Sequence, residues 1–123
     1  MSLAGRRILV VEDEMLISLL IEDILADQDC VIIGPFDRVA AALGAAQNED
    51  LDAALLDVNV AGVKIYPVAE VLAARGIPFM LLSGYGADAI PRGHPDWRAC
   101  SKPFRPEDLV DGLLEGIKEK GNA

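Results

Sequence analysis

The sequence predicts an α/β fold, a parallel five-stranded sheet covered by helices on both faces as a three-layer sandwich. Three observations carry that prediction. Short β-rich apolar runs alternate with stretches of helical period. The runs are continuously apolar rather than alternating, as strands buried on both faces must be. The chain has 123 residues, 52% of them hydrophobic, which suits one enclosed core and argues against disorder.

Taken in order, Ile8-Leu9-Val10-Val11 reads as a first buried strand, followed by Glu12-Asp13-Glu14. Leu16, Ile17, Leu20, Ile21 and Ile24 then recur at helical spacing and predict one apolar helix face. Val31-Ile32-Ile33 is the second strand, stopped by Gly34-Pro35, and Asp37 is placed to cap a helix carrying Val39, Leu43 and Ala46. Ala53 to Leu56 forms the third strand and runs straight into Asp57. A turn through Ala61-Gly62 leads to a helix with Val68, Val71 and Leu72, ended by Gly76. Phe79 to Leu82 is the fourth strand and delivers Ser83-Gly84-Tyr85; Arg98 to Ser101 is the fifth and delivers Lys102-Pro103. The last helix opens with Pro106, has Glu107 and Asp108 at its positive end, and aligns Leu109, Val110, Leu113, Leu114 and Ile117. Between Asp88 and Asp96 the pattern is poorly periodic, with Pro91, Gly93 and Pro95, so the fourth crossover is expected to be a shortened helix at most.

Bulk properties exclude several functions. A net charge of −9 argues against nucleic acid, whose phosphates need a basic face. The longest apolar runs are strand-sized, far below the ~20 residues of a membrane span. Cys30 and Cys100 are only two and lack Cys-x-x-Cys spacing, so neither a disulfide framework nor a zinc site is indicated. A reducing, cytoplasmic setting fits. Residues 1–5 lack a signal-peptide core and read as a cloning remnant or a disordered lead-in to a single domain spanning 1–123.

Ligands of open parallel sheets gather at the carboxyl ends of the strands. Four of the five strands hand over a polar residue there: Glu12 and Asp13, Asp57, Ser83, and Lys102. Three carboxylates in one crevice repel each other unless a cation joins them. The donors are hard oxygens with no His or Cys among them, which points to Mg²⁺. Ser83 is placed to donate to a phosphate, and Lys102 to neutralise one. This is equipment for phosphoryl transfer, where charge stabilisation and alignment do most of the work.

Together these residues resemble the receiver domains of bacterial two-component response regulators, over nearly the whole chain. The resemblance implies a flavodoxin-like (βα)5 fold with strand order 2-1-3-4-5 and a phosphoryl acceptor at Asp57. It implies Mg²⁺ held by Glu12, Asp13, Asp57 and the Asn59 carbonyl, phosphoryl contacts from Ser83 and Lys102, and a cis Lys102-Pro103 bond. The phosphodonor would be a histidine kinase or a histidine phosphotransfer protein. The domain would catalyse only its own phosphoryl transfer and slow dephosphorylation, and would signal by protein contact or relay, since no output domain follows the last helix. The loop after the acceptor, Asp57-Val58-Asn59-Val60-Ala61-Gly62, lacks the proline common in the family, and Ala99 replaces the aromatic switch three residues before the lysine. The run Pro78-Phe79 through Ser83-Gly84-Tyr85, with the shortened fourth crossover, instead resembles an atypical, largely stand-alone subgroup associated with stress-response phosphorelays. Tyr85 is the candidate replacement switch.

Each residue alone has a plainer explanation. Glu12 and Asp13 suit a helix N-terminus without any metal, Asp57 suits a strand-end turn, and Lys102 suits a solvated surface. His94, between Gly93 and Pro95, reads as an exposed loop residue, and Tyr85 equally as fixed packing. The rival function is a Mg²⁺-dependent phosphohydrolase with an aspartate nucleophile. Such enzymes of the haloacid dehalogenase type carry Asp-x-Asp on the first strand, whereas this chain offers Asp57-Val58-Asn59 on the third and no cap domain. A flavin carrier is disfavoured because Glu12-Asp13-Glu14 would repel the flavin phosphate.

Overall fold

A computed structural model describes residues 2–121. In chain order the elements are β1 (Arg7–Val11), α1 (Met15–Asp27), β2 (Val31–Phe36), α2 (Val39–Asn48), β3 (Ala53–Asp57), β4 (Asn59–Val60), β5 (Val63–Lys64), α3 (Tyr66–Ala74), β6 (Phe79–Ser83), a 3₁₀ turn (Gly86–Ala89), β7 (Arg98–Ser101) and α4 (Pro106–Gly121). Five strands form one parallel sheet in the order β2-β1-β3-β6-β7. Numbered among themselves they run 2-1-3-4-5, as expected.

Strand alternation divides the core into two layers. Leu9, Val11, Ala54, Leu56 and Leu81 face one side and pack with Ala42 and Ala46 of α2 and Val68 and Leu72 of α3. Ile8, Val10, Leu55, Met80 and Leu82 face the other and pack with Ile21 and Leu25 of α1 and Leu109 and Leu113 of α4. Every residue of β3 is buried, which makes it the central strand and sets Asp57 at the middle of the sheet's carboxyl edge.

The structure departs from the expectations at several points. β2 does not stop at Gly34-Pro35 but continues to Phe36 across a register shift against β1. Gly34 permits this with φ +113, where an added Cβ would lie 2.8 Å from the Val10 carbonyl oxygen. The Gly34-Pro35 bond is cis, which nothing in the sequence announced; Lys102-Pro103 is cis as well. Asp37 is not the cap of α2, because Arg38 takes the N-cap position and no side chain caps the helix. Around Ala61-Gly62 the turn closes a small hairpin, β4 against β5.

Two apolar assignments also change. Leu3 is 1% exposed inside the α1–α4 layer, and the Gly5 N–H donates to the Asp29 carbonyl at 2.9 Å, which ties this stretch to the domain; Met1 lies outside the described residues. In α1 the sheet-facing residues are Ile21, Ile24 and Leu25, whereas Leu16 is 81% and Leu20 45% exposed. Their positions rotate them off the buried stripe toward solvent.

The connector from β6 to β7 has one 3₁₀ turn, which agrees with a shortened fourth crossover, but it is firmly anchored. Tyr66 Oη donates to the Ala89 carbonyl at 2.7 Å. One helical turn along α3, Glu70 Oε1 lies 2.7 Å from His94 Nε2. The His94 ring stacks on Trp97 at 3.9 Å, and Trp97 meets Phe79 edge-on at 5.0 Å. His94 is thus a half-buried clamp and not a free loop residue, because the stacked Trp97 and the α3 carboxylate hold both its face and its edge. His94→Ala is expected to speed amide exchange several-fold across residues 85–97 while leaving β1 and β3 unchanged. Exchange mass spectrometry checks this, and equal rates in that segment would make the clamp a bystander.

Candidate functional site

The carboxyl ends of β1, β3, β6 and β7 converge because these strands are in register: Val11 pairs with Leu56, Asp57 with Leu82, and Ser83 with Ser101. Glu12 leaves β1 with its backbone N–H on the Phe36 carbonyl at 3.0 Å. Its side chain turns inward, is fully buried, and accepts the Glu14 N–H at 3.2 Å. Carboxylate oxygens of Glu12, Asp13 and Asp57 lie within 4.8 Å of one another. Lys102 Nζ donates to Glu12 Oε2 and to Asp57 Oδ1, both at 3.1 Å. The lysine therefore stands among the carboxylates as their counter-charge.

The electrostatics follow from this crowding. Burial pushes Glu12 up to about 7; the Asp57 charge adds to that, while the Glu14 N–H and Lys102 oppose it. Burial also raises Asp57, against the hydrogen bond and charge of Lys102. Burial works against the Lys102 ammonium, but its contacts with Asp57 and Glu12 outweigh it and raise that group further. Asp13 is exposed, and despite some desolvation its carboxyl falls below the usual range, because the Ala61 N–H donates to Oδ2 at 2.8 Å. Two buried carboxylates that resist ionisation, beside one that ionises readily, form a site that gains by receiving a cation.

The remaining candidates are arranged differently. Ser83 is buried at the end of β6, where its Oγ accepts the Tyr85 N–H at 3.0 Å and its carbonyl accepts the Lys102 N–H at 2.9 Å. This leaves the Ser83 hydroxyl proton available to an incoming acceptor. Asn59 is exposed on β4, opposite Lys64. Tyr85 is 80% exposed, so fixed packing does not describe its ring. Ala99 is partly buried against the α2–α3 layer. Cys30 and Cys100 are both free thiols. Sequence reasoning missed the Ala61 amide, a donor without a side-chain signature, held by Ala61 at φ +50 and Gly62 at φ +82.

The donor set is three carboxylates, which fits a hard divalent cation such as Mg²⁺. The site lies on a strand-end edge, with the Lys102 ammonium on the Asp57 carboxylate and Ser83 buried at the end of the neighbouring strand β6. No described helix is long and apolar enough to cross a membrane.

No family profile matches the chain, and no curated protein matches it either. Solved structures do. SdrG from Sphingomonas melonis Fr1 is 41% identical, with 96% of this chain and 99% of SdrG covered at a TM-score of 0.78. The BeF3-activated conformation of SdrG, from Pseudomonas melonis Fr1, is 40% identical, with 94% and 95% covered at a TM-score of 0.69. The receiver domain of sensor histidine kinase PA1611 from Pseudomonas aeruginosa PAO1, with a magnesium ion coordinated in its active-site cleft, shares the fold at 24% identity. It covers 94% of this chain and 99% of that one at a TM-score of 0.76. With the strand order, the acidic cluster and the SdrG identity in agreement, the chain belongs to the response regulator receiver domains, which are signalling switches rather than conventional enzymes.

Proposed function

We propose that Asp57 is the phosphoryl acceptor and that the chain works as a single receiver unit. The carrying observation is the placement of a buried Asp57 carboxylate at the sheet edge, hydrogen-bonded to Lys102 and grouped with Glu12 and Asp13. A bound Mg²⁺ would screen the carboxylates and polarise a phosphoryl oxygen. Asp13, Asp57 and the Asn59 carbonyl would hold it directly, with Glu12 acting directly or through water. An Asp57 carboxylate oxygen attacks phosphorus, the donor's bond to phosphorus breaks, and the leaving group departs in line. Lys102 then shifts from the carboxylates to the new phosphoryl oxygens, and Ser83 donates its hydroxyl to another.

The phosphodonor is a histidine kinase or histidine phosphotransfer protein, and output passes by protein contact or relay. The free thiols suit a reducing, cytoplasmic compartment. A phosphohydrolase is disfavoured because Asn59, an amide, stands where the second acid of an Asp-x-Asp pair would follow Asp57. The test uses acetyl phosphate with Mg²⁺. Mass spectrometry is expected to show one added phosphoryl group, labile to hydroxylamine as an acyl phosphate is, and none when the metal is chelated. Continuous release of phosphate with no covalent label would support the hydrolase instead.

Tyr85 is the lever that reports the phosphorylated state. Its ring is exposed, and its N–H is tied to Ser83 Oγ, the atom that the phosphoryl group would recruit. Pulling that hydroxyl loosens the tie and favours a second packing of the ring. Beryllofluoride with Mg²⁺ is expected to shift the Tyr85 ring resonances and the amides of residues 83–86, and a ring that stays put would remove Tyr85 from the switch.

A further inference from the structure

We propose that the Ala61 N–H orients the Asp13 carboxylate for Mg²⁺ and thereby biases the site toward Mg²⁺ over Ca²⁺. This makes Ala61 a positioning residue, and the inference rests on the Mg²⁺ reading of the acidic cluster. Its starting point is an asymmetry among the three carboxylates. Lys102 pairs with Glu12 and with Asp57, both at 3.1 Å, but among the described residues it does not pair with Asp13. Asp13 is held instead by the Ala61 N–H, which donates to Oδ2 at 2.8 Å.

The two kinds of hold differ in their consequence. An ammonium group compensates the charge of the carboxylate it pairs with, and so competes with an incoming cation. A backbone amide fixes the direction of a carboxylate and leaves its full charge to the cation. Asp13 is exposed, so packing does little to fix its side chain, and the amide supplies the constraint.

The hairpin that carries this amide is well anchored. Val60 pairs with Val63 across β4 and β5, which leaves Ala61 and Gly62 as a two-residue turn. Both have positive φ, +50 and +82, the pattern of a type I′ turn. Asparagine, aspartate or glycine suits the first position of such a turn, whereas alanine is disfavoured there. At the base, the Ile65 N–H donates to the Val58 carbonyl at 2.9 Å, and Val60 and Ile65 are buried in the α2–α3 layer. The hairpin follows Asp57 directly, so the acceptor, the Asn59 carbonyl and the Ala61 amide belong to one continuous piece of chain. A left-handed alanine on so firm a turn is explained by where it aims its N–H, across to Asp13, 48 positions away in the chain.

The preference between cations follows from that rigidity. Mg²⁺ demands near-ideal octahedral geometry, whereas Ca²⁺ accepts more oxygens in flexible arrangements. A carboxylate fixed in advance therefore helps Mg²⁺ more than it helps Ca²⁺.

The test uses an ester variant of the full chain, in which the Ala61 N–H is replaced by oxygen and the side chain is kept. Mg²⁺ and Ca²⁺ are titrated separately into this variant and the wild type by calorimetry. Mg²⁺ affinity is expected to fall about tenfold and Ca²⁺ affinity by about threefold or less. Ala61→Val reaches the same amide by another route, because a β-branched side chain opposes φ +50, and should again weaken Mg²⁺ more than Ca²⁺. Unchanged Mg²⁺ affinity in the ester variant, or equal losses for both cations, would overturn the proposal and leave the cation site standing. A wild type that binds no Mg²⁺ would overturn the cation site itself, and this inference with it.

Discussion

Asp57→Asn is expected to take no phosphoryl label from acetyl phosphate and, without metal, to be more resistant to denaturant than the wild type. The two effects share one cause. Asp57 is 6% exposed, and burial raises its carboxyl even with Lys102 against it, so folding works against its ionisation. Asparagine keeps the shape and still accepts from Lys102, but carries no charge for Glu12 and Asp13 to oppose and no carboxylate to attack phosphorus. A merely structural Asp57 would give the reverse pattern, with label retained at another residue and stability lost. Intact-mass measurement with peptide mapping reads the first effect, and urea unfolding at pH 7 with chelator reads the second. Labelling of the variant at wild-type density would remove Asp57 as acceptor.

The fold was legible because its determinants are local. Continuous apolar runs announced β1, β3 and β6, and the polar residues at their ends announced the site, since a parallel sheet brings those ends together whatever fills the loops. What escaped were contacts made by backbone or across distant elements. The Asp13–Ala61 hydrogen bond depends on a left-handed Ala61, and alanine gives no sign of that conformation. The clamp of Tyr66 and Glu70 on the connector depends on which face of α3 turns toward it, and the poor periodicity from Asp88 to Asp96 announced only a shortened crossover. Likewise Leu16 and Leu20 fit a helical apolar pattern that is wider than the stripe the sheet covers. In each case the residue type was compatible with several environments, and only tertiary packing chose between them.

The metal-free protein is expected to lose stability as pH rises from about 4.5 to about 7, by roughly 3 kcal/mol at ~1.4 kcal/mol per pH unit. Glu12 governs this window. Its ordinary value is 4.5 and the fold raises it to about 7, so between those limits the folded chain holds a proton that the unfolded chain has released. Folding is therefore favoured at the acid end, and the advantage disappears as pH climbs through the folded value. Asp57 is raised as well and acts in the same direction. Asp13 is lowered below 3.8 and Lys102 raised above 10.5, so both titrate outside the window. Mg²⁺ should cancel the slope, because a cation among the three carboxylates favours their ionised forms and binds more tightly as protons leave. Glu12→Gln should flatten the metal-free profile, since the amide is neutral at every pH and still accepts from Lys102 and the Glu14 N–H. Urea midpoints at half-unit pH steps, with chelator and then with excess Mg²⁺, distinguish the cases. A metal-free profile that rises toward pH 7 in the wild type would mean that the Glu12 carboxylate is stabilised rather than strained by its neighbours, with Lys102 the stronger influence on it than burial.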